Sequence, residues 1–214
     1  MARQDDLKRI KQAALLYLFL VLGMLWAPLA VYLDVVVIRH GMPETGVTEI
    51  SQELILLCST IVMYVMAFKL NDQRGFLFLV AGLLACMFLR ELDYLFDHIQ
   101  HGFWKYPVTV MILVSFTLAA IFRKTVVPAM ADATRSYPFA YILAGLAIVL
   151  FFSRIFGTGS LWSAILDSGA GVQAPALVKN SVQEGLELLG YVVIFYGSVL
   201  FARLHWQADN RDVD

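Results

Sequence analysis

The chain has 214 residues, 60% of them hydrophobic and only 15% charged, and its mean hydropathy is +0.72. So few charges cannot clothe a soluble domain of this size, and a formal charge of −1 leaves no basic field to hold nucleic acid. Cys58 and Cys86 both sit inside apolar blocks with no second thiol at ligand spacing, so they read as small buried hydrophobes rather than a disulfide or metal pair.

The apolar residues fall into blocks long enough to cross a bilayer at 1.5 Å rise per residue. The expected fold is therefore all-α: a polytopic membrane bundle of about six transmembrane helices. It opens on a charged segment, residues 1–12 (MARQDDLKRIKQ). The apolar run behind it is too long for a signal-peptide core and has no small-residue cleavage pattern, so it reads as a retained first span, 13–38, with Pro28 as a kink. The second span is expected at 48–70, the third at 75–99 and the fourth at 106–122. The fifth follows at 137–156. A Gly/Ser-rich stretch, 157–175, reads as a surface or re-entrant loop before the sixth span, 176–204, and a tail, 205–214.

Basic residues flank the spans unevenly. Arg3, Lys8, Arg9, Lys11, Lys69, Arg74, Arg123, Lys124, Arg135, Arg203 and Arg211 belong to one side, against Arg39, Lys105, Lys179 and the span-end Arg90 and Arg154 on the other. The richer side is expected to face the cytoplasm, which places both termini there. Short loops and the absence of an N-glycosylation sequon fit a bacterial-type inner membrane.

Once the spans are oriented, the acids separate. Asp5, Asp6, Asp72, Asp132, Asp209, Asp212 and Asp214 fall in cytoplasmic loops and tails. Asp34, Glu49, Glu53, Glu91, Asp93, Asp97, Glu184 and Glu187 fall within spans or at their outer ends, and alternating chain direction brings them to one depth. Helical spacing puts Glu49, Gln52 and Glu53 on one face of the second span, and Asn180, Gln183, Glu184 and Glu187, continued by Tyr191, on one face of the sixth. The segment RELDYLFDHIQH carries Arg90, Asp93, Asp97 and His101 on one face, and Glu91, Tyr94 and His98 on another. A charge at membrane depth costs about 2.5–3.5 kcal/mol on insertion scales, so these side chains should face the bundle interior or water.

The leading expectation is a cation site open to the periplasm. Glu53, Glu91, Glu184 and Glu187 would form it, with Asp97, His98 and His101 as outer members; carboxylate with imidazole suits a divalent metal ion. The same residues support an intramembrane enzyme acting on a lipid head group, with Arg90 and Arg154 binding the substrate. A third reading is an assembly subunit in which Arg90, Arg154, Lys179 and Arg39 neutralise the acids as a buried salt-bridge network. A proton relay fits less well, because the inner halves of the spans hold almost no ionisable residue. The expected partners are membrane lipids, with a second copy of the chain or a membrane-complex subunit also open. No nucleophile elbow, HExxH, P-loop or haem-ligand pattern is present.

Overall fold

The computed structural model describes residues 2–166 and 174–209, and among these all regular structure is helical. Helix α1 spans Ala2–Tyr32, runs on through Pro28, and passes into a π-helical turn, Leu33–Ile38. Helices α2 (Val47–Lys69) and α3 (Arg74–Glu91) form a tight antiparallel pair. A short α4 (Asp93–Asp97) leads to α5 (Lys105–Ile121) and, around a corner, to α6 (Val126–Ala133). Then α7 (Tyr137–Ala147) continues through a second π-helical turn, Ile148–Phe152, into α8 (Ser153–Phe156). The 157–175 stretch contains α9 (Gly159–Leu166), and α10 (Ala174–Asp209) closes the fold. Residues 167–173 of that stretch and 210–214 of the tail lie outside the described residues.

Among the described residues, four helical stretches are long and apolar enough to cross a membrane: Asp6–Ile38, Val47–Lys69, Tyr137–Phe156 and Pro175–Trp206. A fifth arises if α5 and α6, bent by 85° at the break between them, count as one span. The difference from the expected six lies in α5, which reaches span length only together with α6, and in α3. Helix α3 stops as a helix at Glu91, where Leu92 leaves the helical path, instead of running on to residue 99. Its 18 residues give about 27 Å of length, and Arg74, Arg90 and Glu91 at its ends dilute its apolar character.

The core lies where α2, α3, α7 and α10 meet, built from Leu56, Met63, Leu77, Leu84, Ile142, Tyr191 and Ile194, all nearly inaccessible. Helix α10 is the centre of the bundle: 61% of its most apolar window is buried, against 11% for α1, which packs at the edge through Ala27 and Ala30 on Leu188 and Val192. At one end of the bundle, Gln73 Nε2 lies 3.3 Å from His205 Nε2 and the Lys69 ammonium sits 3.8 Å above the Trp206 ring.

Backbone contact fixes α7 against α10. A Cβ placed on Gly145 would fall 2.6 Å from the Gly190 carbonyl oxygen, and one on Gly190 would fall 2.4 Å from Val149 Cγ2. Small residues in membrane helices permit this approach, where dispersion and polar contacts rather than the hydrophobic effect hold helices together. A Gly145→Val substitution is expected to force the pair apart and cost about 1–3 kcal/mol, read as a lower midpoint in detergent unfolding. Unchanged stability would show that the helices part at no cost.

Candidate functional site

At the end of the bundle opposite Lys69 and His205, a polar chamber of about 300 Å³ opens between α2, the end of α3 and α10. Its lining includes six carboxyl side chains (Glu44, Glu49, Glu91, Asp93, Glu184 and Glu187) and two basic ones (Arg90 and Lys179), with Met42, Asn180 and Gln183 completing it. Antiparallel packing creates this layer: α2 and α10 begin where α3 ends, so charged helix ends from distant parts of the chain share a level.

The inner tier is partnered. Glu91 accepts a hydrogen bond from the fully buried Tyr191 hydroxyl at 2.6 Å and is ion-paired with the adjacent Arg90. Glu187, 2% exposed, lies 3.3 Å from the Arg154 guanidinium and 3.6 Å from that of Arg90, and Ser153 Oγ donates to it at 3.2 Å. Ser153 and Arg154 follow directly on the π-helical turn, whose extra residue per turn resets which side chains face the bundle beyond it. Without that turn the span would carry its arginine to a different side.

The outer tier is less well matched. Glu184 accepts an amide hydrogen bond from Gln52 at 3.1 Å, and the same amide donates to the Glu184 backbone carbonyl at 3.0 Å. Gln52 is inaccessible, and its carbonyl oxygen has no partner among the described residues. Glu49 lines the chamber with no hydrogen bond or ion pair among the described residues. The cavity-facing carboxylates without an ion pair among the described residues are therefore Glu44, Glu49, Asp93 and Glu184, with Glu49 and Glu184 deepest in the bundle.

A second depression of about 310 Å³ adjoins the chamber and shares Glu44 and Asp93 with it, adding Tyr94, Asp97 and His98. His98 Nδ1 lies 2.8 Å from the Tyr94 carbonyl oxygen, and since a carbonyl only accepts, that nitrogen carries the proton. Asp97 accepts from the Gly102 amide at 2.8 Å and pairs with His101 Nδ1 at 2.7 Å. Those two contacts, the amide first, hold the Asp97 carboxyl below its ordinary range. The turn needs glycine at position 102, where φ is +78°.

The residues singled out in the sequence thus divide into groups. Glu91, Glu184, Glu187 and Arg90 meet in the chamber, and Arg154 stands behind Glu187. Asp97 and His98 line the adjoining depression, while His101 stands out in solvent, its side chain 97% exposed. Glu53 is partly exposed and does not line the chamber; its neighbour one turn earlier, Glu49, does. Among the described residues, no three His, Cys, Asp or Glu side chains converge closely enough to hold a metal ion.

No protein-family model, curated protein or solved structure matches the chain.

Asp34 is the residue whose role sequence reasoning missed. It is fully buried in the π-helical turn after α1, and its carboxylate accepts from Val47 N at 2.8 Å, Thr48 N at 2.8 Å and Thr48 Oγ1 at 2.7 Å. It caps the N-terminus of α2 from another helix, satisfying amides that have no partner within α2 itself. Gly46 leaves the space: a Cβ there would meet Asp34 Oδ2 at 2.9 Å. The available signal was an acid at the end of one span facing a Gly-Val-Thr helix start.

Proposed function

We propose that this integral membrane protein binds a cation in the acidic chamber, from the non-cytoplasmic side of a bacterial-type inner membrane, with both termini cytoplasmic. The carrying observation is the charge mismatch of the outer tier. Six carboxyl groups line the cavity against Arg90 and Lys179, and Arg90 is already engaged by Glu91 and Glu187. Clustered like charges at low dielectric are relieved by a positively charged guest. The distribution of Lys and Arg along the chain supports the orientation.

The guest class follows from size and spacing. With no converging set of metal ligands among the described residues, and room for several waters, a hydrated divalent ion or a small organic ammonium fits better than a bare ion held in direct coordination. Glu49 and Glu184 would contact it, with Glu44 and Asp93 at the mouth.

Titration calorimetry on protein in nanodiscs, with manganese, zinc and spermidine as separate probes, tests this. At least one probe should bind the wild type, and Glu49→Gln combined with Glu184→Gln should weaken it about tenfold or more for each carboxylate neutralised, the factor that accompanies 1.4 kcal/mol. Absence of binding by all three, or equal binding by the double variant, removes the reading.

One observation favours an assembly role as the second reading. The inner tier, Glu91 and Glu187 with Arg90, Arg154, Ser153 and Tyr191, is already a closed network needing no guest. If it stands alone, Glu49→Gln and Glu184→Gln would leave every property of the protein unaltered.

A further inference from the structure

At the end of the bundle away from the chamber, α5 does not run straight into the next span. It turns by 85° into α6, so that α6 lies across the direction of the bundle. The corner is fastened. Thr125 in the connecting 3₁₀ turn accepts from Gly75 N, an amide in the first turn of α3, at 2.8 Å, and its own hydroxyl donates to the Phe122 carbonyl at 2.8 Å. The Arg74 guanidinium lies 5.3 Å from the Phe122 ring centroid. A Cβ on Gly75 would fall 2.5 Å from Phe122 O, so the corner and α3 touch backbone to backbone.

Helix α6 uses one edge for the protein. Ala129 is 2% exposed, and Val126 and Ala133, three before and four after it, are partly covered on the same face against α3. Val127 and Met130 stand on another face, 67% and 50% exposed, with Asp132 on the side away from Val127. Cations bracket the helix: Arg123 and Lys124 in the turn before it and Arg135 just after it. All three are exposed, and none has a hydrogen bond or ion pair from its side chain among the described residues.

A helix held crosswise at a bundle end, with one exposed apolar face and unpaired bases at both ends, has the makeup of an interfacial segment. We propose that α6 lies in the interfacial layer of the membrane, with Val127 and Met130 in the acyl boundary, and that Arg123, Lys124 and Arg135 hold anionic phospholipid head groups. Charge complementarity selects the occupant. Three unpaired cations beside an apolar face suit a lipid that supplies both a phosphate and an acyl chain, whereas free phosphate would leave Val127 and Met130 in water. The inference concerns the opposite end from the chamber and stands whether or not a cation binds there.

Two measurements on the full chain test it. In the first, wild type and an Arg123→Gln, Lys124→Gln, Arg135→Gln variant are reconstituted in an equal mixture of phosphatidylglycerol and phosphatidylcholine, and retained lipid is counted by native mass spectrometry. Phosphatidylglycerol retention should fall about fivefold for each base removed, the factor that accompanies each Lys or Arg near an anionic surface. Inorganic phosphate at matching concentration should not displace the lipid. In the second, spin labels at Val127→Cys and Asp132→Cys, in a Cys58→Ala, Cys86→Ala background, report depth. Position 127 should be relaxed by oxygen and position 132 by a water-soluble nickel complex. Equal retention by the variant, displacement by phosphate alone, or nickel relaxation at both positions would overturn the proposal, the last pointing instead to a face that waits for a soluble protein.

Discussion

Replacing Asp34 by alanine is expected to be the most damaging single change outside the acidic chamber, lowering stability by about 2–4 kcal/mol in mixed-micelle unfolding. The carboxylate is inaccessible and accepts three hydrogen bonds, from Val47 N, Thr48 N and Thr48 Oγ1. Alanine leaves two amides and a hydroxyl at the start of α2 without partners, those of Thr48 buried and that of Val47 partly so, and that desolvation sets the magnitude. Asp34→Asn keeps the volume and one acceptor oxygen, so its loss should be intermediate. A Thr48→Ala variant should cost less again, because it removes one of the three contacts and strands only part of the carboxylate's capacity. The ordering Ala, Asn, then Thr48→Ala is the diagnostic; an alanine variant as stable as wild type would show that water replaces Asp34 freely.

The second large effect is expected at Glu187. Removing one member of a buried ion pair typically costs 3–5 kcal/mol because the remaining charge stays uncompensated. Here Arg154 is half exposed and Arg90 about a third, so water takes up part of the loss. Glu187→Ala is therefore expected to cost about 2–4 kcal/mol. Adding Arg154→Gln to Glu187→Ala should recover part of that loss, because the stranded guanidinium goes with it. This non-additivity separates a paired network from independent residues. If the two substitutions add without coupling, the Arg154–Glu187 contact at 3.3 Å carries no energy.

Much of this was legible in the chain, for physical reasons. Apolar blocks and the gathering of Glu91, Glu184 and Glu187 at one level follow from hydrophobic periodicity and from short connections that force neighbouring spans to run in opposite directions. Glycines within apolar helices signal close approach, and the helices do touch at Gly145, Gly190 and Gly197, and at Gly82, where a Cβ would meet Ser115 Oγ. Gly185 faces α1 more loosely, with Val31 at 3.3 Å.

What the chain concealed depends on rotation. Glu49 and Glu53 share a stripe by spacing, yet four residues advance about 6 Å and turn about 40°, enough to leave Glu49 in the chamber and carry Glu53 past its edge. The two π-helical turns leave no mark in hydropathy, although one holds Asp34 and the other precedes Arg154. The end of α3 at Glu91 was hidden by the apolar residues Tyr94, Leu95 and Phe96, which continue the pattern after the helix has broken.

Helices far apart in the chain are neighbours in the bundle: α1 rests on α10, through Ala27 and Ala30 against Leu188 and Val192 and through the Tyr196 hydroxyl donating to the Leu16 carbonyl. During synthesis α10 follows α2 to α9, so the seat of α1 exists only after those helices have been made. In that interval its attachments to the growing chain run through α2, with Asp34 on Val47 and Thr48 and the Trp26 indole on Ser51 at 3.0 Å. Those contacts are expected to keep α1 against α2 until α10 arrives, and a lesion there should show first as separation of α1 from α2.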